Sequence, residues 1–252
     1  MTDPATLAAR LDDAARGAAA IPQLTLDVPG LDEGAAYAVQ AALLDRRLRR
    51  GERAVGVKLG LTSRAKMAQV GVDEVIRGGL TDAMRVADGG TLDVGAHIHP
   101  RVEPEVAFLL DGPTGEFATG VRAVAPALEV IDSRYADFRF TLPDVIADNT
   151  SAAAFVVGEW QPVPAGLDNL GVLLEVDGEV AETGSTAAIL GDPRRAYAAA
   201  VRLAAAHGVV LEPGWILLAG AATAAVPLRP GAHVRAVVEG LGTASLTAAG
   251  PA

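Results

Sequence analysis

The 252-residue chain contains no cysteine. That absence excludes disulfides, thiolate zinc sites and cysteine nucleophiles. Histidine is scarce, with four in the chain, so any metal is held by oxygen or by one of those four. Oxygen ligands favour magnesium, manganese or calcium. Positive charge is also short: 21 Lys and Arg against 31 Asp and Glu leave a formal net charge of −10. Such a surface argues against nucleic acid or an anionic membrane as partner. No apolar run is long enough to span a bilayer. The opening Met1-Thr2-Asp3-Pro4 leads into a polar helix rather than a signal peptide. The expectation is a soluble, cytoplasmic protein whose partner is a small molecule. There is no low-complexity tail, repeat or interdomain linker, and the glycines follow neither a GxGxxG nor a GK[ST] phosphate-binding pattern. Half of the residues are hydrophobic, enough for one full core.

What is present centres on Arg101-Val102-Glu103-Pro104-Glu105-Val106-Ala107-Phe108-Leu109-Leu110, a β-strand by its apolar, β-branched run. Side chains alternate across a strand, so Glu103 and Glu105 share a face. A wet acidic face is one reading. The other follows from the flank, which has no polar member from Val106 to Leu110, as in a strand buried on both faces. Acids at the head of such a strand need a partner, and a metal ion supplies one economically. Pro104 cannot donate to a ladder, which predicts an edge or a bulge. Ala123 to Ile131 reads as a second buried strand whose sole charge is Glu129. That acid needs a cation, an arginine or a shared proton.

Other stretches complete the pattern. Helices are expected over about Pro4 to Ala20, with Leu7, Leu11 and Ala15 on one stripe, and over Asp32 to Arg50, with Asp32 as N-cap. The arginines at 46, 47, 49 and 50 read as a solvated helix end. Lys58 lies inside the short apolar strand at 54–63, on a face shared with Gly56 and Gly60. It is either a lysine with a task in that open space or one that reaches solvent from an edge. A short helix is expected from Arg64 to Val70. Gly71 to Gly90 reads as a glycine-rich loop and candidate lid. His97 and His99 share a face at period two, either as structural residues or as ligands. Arg134 pairs with Asp132 or holds a substrate carboxylate. Leu142 to Ser151 reads as a polar loop. Asp177-Gly178 predicts a two-residue hairpin, Pro193 to His207 a helix, and 233–239 with 243–247 the strands that close the sheet.

Several motifs together resemble one known family: GVKLGLTS at 56–63, PRVEPEVAF at 100–108, PALEVIDSRYADFRF at 126–140 and LPDVIADNTS at 142–151, with AAILGDP and GAATAAV further on. They resemble the 2-keto-4-pentenoate hydratase and 4-oxalocrotonate decarboxylase group of the fumarylacetoacetate hydrolase superfamily, over nearly the whole chain. The resemblance implies an α+β fold, a mixed β-roll with flanking helices (53–252) behind a small helical N-terminal part (1–52). It implies that Glu103, Glu105 and Glu129 hold Mg2+ or Mn2+ and that Lys58 is the acid–base or charge-stabilising group. Asp82, Arg134, Asn149, Ser151 and Thr223 are candidates for substrate carboxylates or water positioning. The chain departs from the family pattern at Gly231-Ala232, at Arg202 and in the 71–79 loop.

Within the family, LTDAM at 80–84, Ile98-His99-Pro100 and SRYADFRF resemble the decarboxylases. The implied reaction is loss of carbon dioxide from 2-oxo-3-hexenedioate to give 2-hydroxy-2,4-pentadienoate. The alternatives are a 2-hydroxypentadienoate hydratase, an acylpyruvate hydrolase, and a calcium-stabilised structural protein that would not need Lys58 near the acids. The family also implies a homo-oligomer, the decarboxylases pairing with the hydratase of the next step.

Overall fold

The computed structural model describes residues 3–63, 74–113 and 115–250. Helices α1 (Pro4–Arg16), α2 (Leu24–Asp27) and α3 (Glu33–Arg49) come first. Leu7 and Leu11 of α1 are buried together with Tyr37, Val39 and Leu43 of α3, whereas Ala15 is only half-buried. Asp32 caps α3, its Oδ1 accepting from Ala35 N at 2.8 Å, a contact that contributes about 1 kcal/mol. The arginine-rich helix end is not simply solvated. Arg46 Nε and Arg50 Nη1 donate to Asp12 Oδ2 at 3.0 and 2.7 Å. Burial pushes the Asp12 carboxyl up, but these bonds outweigh it and hold the group below its ordinary range. A partner on another helix is invisible in the composition of one helix end.

The larger sheet is built from β1 (Ala54–Gly60), β2 (Ile76–Thr81), β3 (Arg85–Val86), β5 (Arg101–Leu110), β6 (Val121–Ile131), β7 (Ala152–Val157), β10 (Ile216–Ala221) and β11 (Val226–Pro227). Its order is β2-β1-β10-β5-β6-β7-β3, with β11 also on β5. The β1–β10 and β3–β7 pairs are parallel and the remainder antiparallel. A second sheet contains β4 (Gly90–Asp93), β8 (Gly171–Val176), β9 (Glu179–Ser185), β12 (His233–Val238) and β13 (Gly242–Ala249), in the order β4-β13-β12-β8-β9. The last strands therefore do not close the first sheet but form another that packs on it. Val102, Leu128, Val130 and Val156 meet Val234, Ala236 and Leu246 there. The opposite face of the first sheet gathers Ala107, Ala125, Ala127, Phe155 and Leu218. Period-two alternation puts Glu103, Glu105 and Glu129 on this second face.

Three shorter readings are corrected. Pro104 is not at an edge: β5 lies between β10 and β6. Pro104 O accepts from Ala222 N at 2.9 Å. The missing N–H therefore faces the side where the β10 register breaks, between Leu218 and Ala221, and the bulge reading holds. Gly78 and Gly79 are not loop residues but lie buried in β2. The helix expected over Arg64 to Val70, and the first residues of the expected lid, lie outside the described residues. Leu142 to Ala147 is helix α5, after the one-turn α4 (Phe117–Gly120). Its signal was present in the sequence: Thr141 and Asp144 form a capping box, with Thr141 N donating to Asp144 Oδ2 at 2.9 Å, and Pro143 fits a first turn.

Asp177 and Gly178 take the left-handed conformation expected of the β8–β9 turn, at φ 54° and 84°. Helix α6 (Arg194–Ala206) covers the first sheet with Ala196, Tyr197, Ala200 and Leu203. Among the described residues, no helix is long and apolar enough to cross a membrane.

Candidate metal centre

The β5–β6 register sets Glu103 directly opposite Glu129, with Glu105 two residues along on the same face. One carboxylate oxygen from each lies within 4.8 Å of the other two, and all three side chains are buried. Glu105 Oε2 accepts from Gly220 N at 2.7 Å. Gly220 has φ 117°, and a Cβ there would stand 2.1 Å from Thr62 Oγ1, so this donor requires glycine. Glu105 Oε1 and Glu129 Oε2 have no hydrogen-bond partner. Orphaned buried carboxylate oxygens are costly and rare.

Lys58 enters from β1. Its Nζ lies 3.0 Å from Glu129 Oε1 and donates to Thr150 O at 3.1 Å. It is buried rather than extended to solvent. Its neighbour across the sheet is Gly78, where a Cβ would meet Asn149 O at 2.6 Å and Lys58 Cδ at 3.1 Å. Burial, then Glu129 and Glu103, push the Glu105 carboxyl well above its ordinary range. Burial raises Glu129 too, although Lys58 opposes it. At an effective dielectric of about 20 the Lys58–Glu129 attraction is worth about 5 kcal/mol, against several kcal/mol of desolvation for each ion. One ammonium among three carboxylates leaves two negative charges when all are ionised. The all-oxygen donor set, the orphaned oxygens and this charge deficit fit a hard divalent ion.

A cavity of about 1030 Å³ opens beside the acids, lined by Lys58, Glu103, Thr150, Ser151 and Thr223 among others. The 149–151 turn beneath it is strained: Asn149, Thr150 and Ser151 have φ of 50°, 53° and 57°, and the left-handed region costs a non-glycine residue about 1–2 kcal/mol. The turn presents Thr150 O to Lys58, and it leaves Thr150 Oγ1 and Ser151 Oγ buried without partners.

Of the sequence candidates, Lys58, Glu103, Glu105, Glu129, Ser151 and Thr223 come together here. Three others do not. Asp82 faces Arg53 in a surface ion pair at 2.9 Å. Asn149 points at the backbone of β2, its Oδ1 accepting from Gly79 N at 2.7 Å and its Nδ2 donating to Gly79 O at 2.9 Å. Arg134 is taken up by Asp148, not Asp132; burial pushes the Asp148 carboxyl up to about 6 despite that arginine. Asp132 instead accepts from the backbone of Ile98 and His99. The histidine-ligand reading also fails: His97 Nδ1 lies 2.9 Å from Asp93 O, and His99 Nε2 lies 2.8 Å from Ser133 O. Sequence reasoning passed over Thr150, Arg101 and Arg139, which line the cavity. Arg101 was findable, since it precedes Glu103 by one period of the strand.

The structural-protein alternative required no lysine near the acids, and Lys58 is within ion-pair distance of one of them. A curled mixed sheet carrying a three-carboxylate centre with a lysine beside it defines the class as that of divalent-metal enzymes with the fumarylacetoacetate hydrolase fold. A fumarylpyruvate hydrolase from Pseudomonas aeruginosa shares this fold, with a TM-score of 0.58, 17% identity, and 79% of this chain and 90% of that chain covered. No protein-family model matches the chain. Full-length relatives are nearer. A 4-oxalocrotonate decarboxylase from Pseudomonas sp is 51% identical over 97% of both chains. A 2-keto-4-pentenoate hydratase from Paraburkholderia xenovorans is 36% identical over 85% of this chain and 83% of its own. The 4-oxalocrotonate decarboxylase of Pseudomonas putida G7, solved with magnesium and adipate, superposes with a TM-score of 0.92 at 37% identity, covering 97% of this chain and 96% of that one. The chain belongs to the 4-oxalocrotonate decarboxylase and 2-keto-4-pentenoate hydratase family.

Proposed function

We propose that this chain is a lyase that decarboxylates 2-oxo-3-hexenedioate to 2-hydroxy-2,4-pentadienoate. Glu103, Glu105 and Glu129 would hold a magnesium or manganese ion. Bound there, that ion would supply Lewis acidity to the 2-oxo acid end of the substrate. The chain's own contribution is charge and exclusion of water. As the bond to the far carboxylate breaks, its electron pair moves through the conjugated double bond towards the 2-oxo oxygen. The Lys58 ammonium, fixed by Thr150 O and Glu129, stabilises the charge that develops there. Leu61, Ile76, Ile131 and Val145 supply an apolar wall to the cavity, which strengthens that interaction.

One finding favours decarboxylation over hydration: the relative that is 51% identical over 97% of both chains is a 4-oxalocrotonate decarboxylase, whereas the hydratase relative is 36% identical. The proposal includes assembly into a homo-oligomer, alone or with the hydratase of the following step. It rests on the family resemblance, and sedimentation velocity reads it directly.

Incubation of the magnesium-loaded protein with 2-oxo-3-hexenedioate tests the reaction. Release of carbon dioxide that stops on chelation and returns with magnesium is expected. Consumption of 2-hydroxypentadienoate without loss of carbon would replace the decarboxylase reading with the hydratase one.

A further inference from the structure

Apart from Lys58, the cationic side chains lining the cavity among the described residues are Arg101 and Arg139. Both are exposed at its mouth. Among the described residues neither has a carboxylate within ion-pair distance, although many of the chain's arginines are paired, Arg46, Arg47, Arg50, Arg53, Arg134 and Arg235 among them. Unpaired guanidinium groups at the rim of one cavity are notable on a chain of net charge −10.

Their placement relative to the acids is specific. Arg101, Glu103 and Glu105 are alternate residues of β5, so they share a face, with Arg101 about 6.6 Å along the strand from Glu103. The Arg101 guanidinium carbon lies 4.7 Å from the centre of the Phe138 ring. Stacking of this kind fixes the plane of the guanidinium and leaves its edge donors available. Phe138 is held on another side by the His99 ring at 4.4 Å. Asp137 and Phe138 have φ of 58° and 54°, a conformation uncommon for non-glycine residues. That turn delivers Phe138 to Arg101 and Arg139 to the cavity.

We propose that Arg101 and Arg139 form the subsite for the second carboxylate of a diacid substrate, and that they select a dicarboxylate 2-oxo acid over a monocarboxylate one. The assignment rests on the 2-oxo acid reading above. An acid anchored by its 1-carboxylate and 2-oxo oxygens at the Glu103 end extends along the strand direction. After six carbons it reaches the Arg101 fork, whose geometry suits a carboxylate. Because this carboxylate is the one that departs, its charge is present in the ground state and lost as the bond breaks. The arginines therefore act in binding and give no advantage to the transition state.

The test uses two unreactive six-carbon ligands that differ by one carboxylate, 2-oxoadipate and 2-oxohexanoate, titrated calorimetrically into the magnesium-loaded protein. The wild type should bind 2-oxoadipate more tightly. Arg101→Gln and Arg139→Gln should each weaken 2-oxoadipate by about tenfold, the equivalent of about 1.4 kcal/mol, and leave 2-oxohexanoate unchanged. In turnover the same variants should raise KM with kcat unchanged or increased. Equal weakening of both ligands, no weakening of either, or a fall in kcat at constant KM would overturn the subsite. If the wild type binds neither 2-oxo acid, the functional reading itself fails. If it binds both and the variants match it, the subsite alone fails.

Discussion

Lys58 Nζ and Glu129 Oε1 stand 3.0 Å apart, both side chains buried, one from β1 and the other from β6. In the proposed function the pair gives one of the three acids two tasks: Glu129 would complete the ligand set, and it positions the ammonium at the cavity.

Lys58→Ala should therefore separate catalysis from metal binding. Loss of a fixed charge-stabilising donor is worth about 10²–10³ in kcat. Removing a positive charge from beside three carboxylates should at the same time tighten magnesium binding. Steady-state kinetics and calorimetry read the two effects separately. A variant with tightened magnesium binding and unchanged kcat would show that Lys58 serves only to balance charge.

Glu105→Gln should stabilise the metal-free protein while removing its response to magnesium. The amide oxygen can keep the bond from Gly220 N, and one repelling carboxylate disappears. Relief of like-charge burial is worth on the order of 1–3 kcal/mol. Thermal melts with and without magnesium measure both halves. A variant that melts below the wild type without metal contradicts the prediction.

The pH dependence follows from Glu105 and Glu129. Both folded-state pKa values are raised above the ordinary 4.5, so the metal-free folded chain binds more protons than the unfolded one in that window. Their contribution to stability is thus greatest below 4.5 and is lost as pH rises towards the folded values. Magnesium competes with those protons. Its stabilising shift should grow with pH from mildly acidic to neutral, and its binding should acidify a weakly buffered solution. A shift in melting temperature that is independent of pH would refute this.

Gly78→Ala should damage the site without touching a ligand. The added methyl would stand 2.6 Å from Asn149 O and 3.1 Å from Lys58 Cδ. The first contact is with backbone of a strained turn, which has little room to yield. A drop in kcat of about tenfold or more is expected, with magnesium affinity nearly unchanged.

Asn149→Asp tests the pairing beneath that turn. Asn149 donates to Gly79 O and accepts from Gly79 N. An aspartate would set a carboxylate oxygen against a carbonyl in a buried place, costing about 1–3 kcal/mol. Chemical denaturation measures that loss, and a variant as stable as the wild type would show that the pairing contributes nothing.

Much of the centre was legible in the chain itself. The period of two in Glu103-Pro104-Glu105 places both acids on one face, and the apolar runs around them and around Glu129 say that the face is buried. An acid in such a run demands a counter-charge, and the absence of cysteine limits the answer to oxygen-bound metals or nearby cations. The helix caps and the Asp177-Gly178 turn were equally readable, because each is a contact between residues a few positions apart. Other features needed the folded molecule. The register that sets Glu129 opposite Glu103, the reach of Lys58 across two strands, and the capture of Arg134 by Asp148 depend on strand pairing between distant segments, and local propensity does not encode which segments meet. For the same reason Asp82 and Asn149 read as site residues although the fold gives each a different partner, Arg53 and Gly79, while Arg139 and Thr150 owe their places at the cavity to two strained turns.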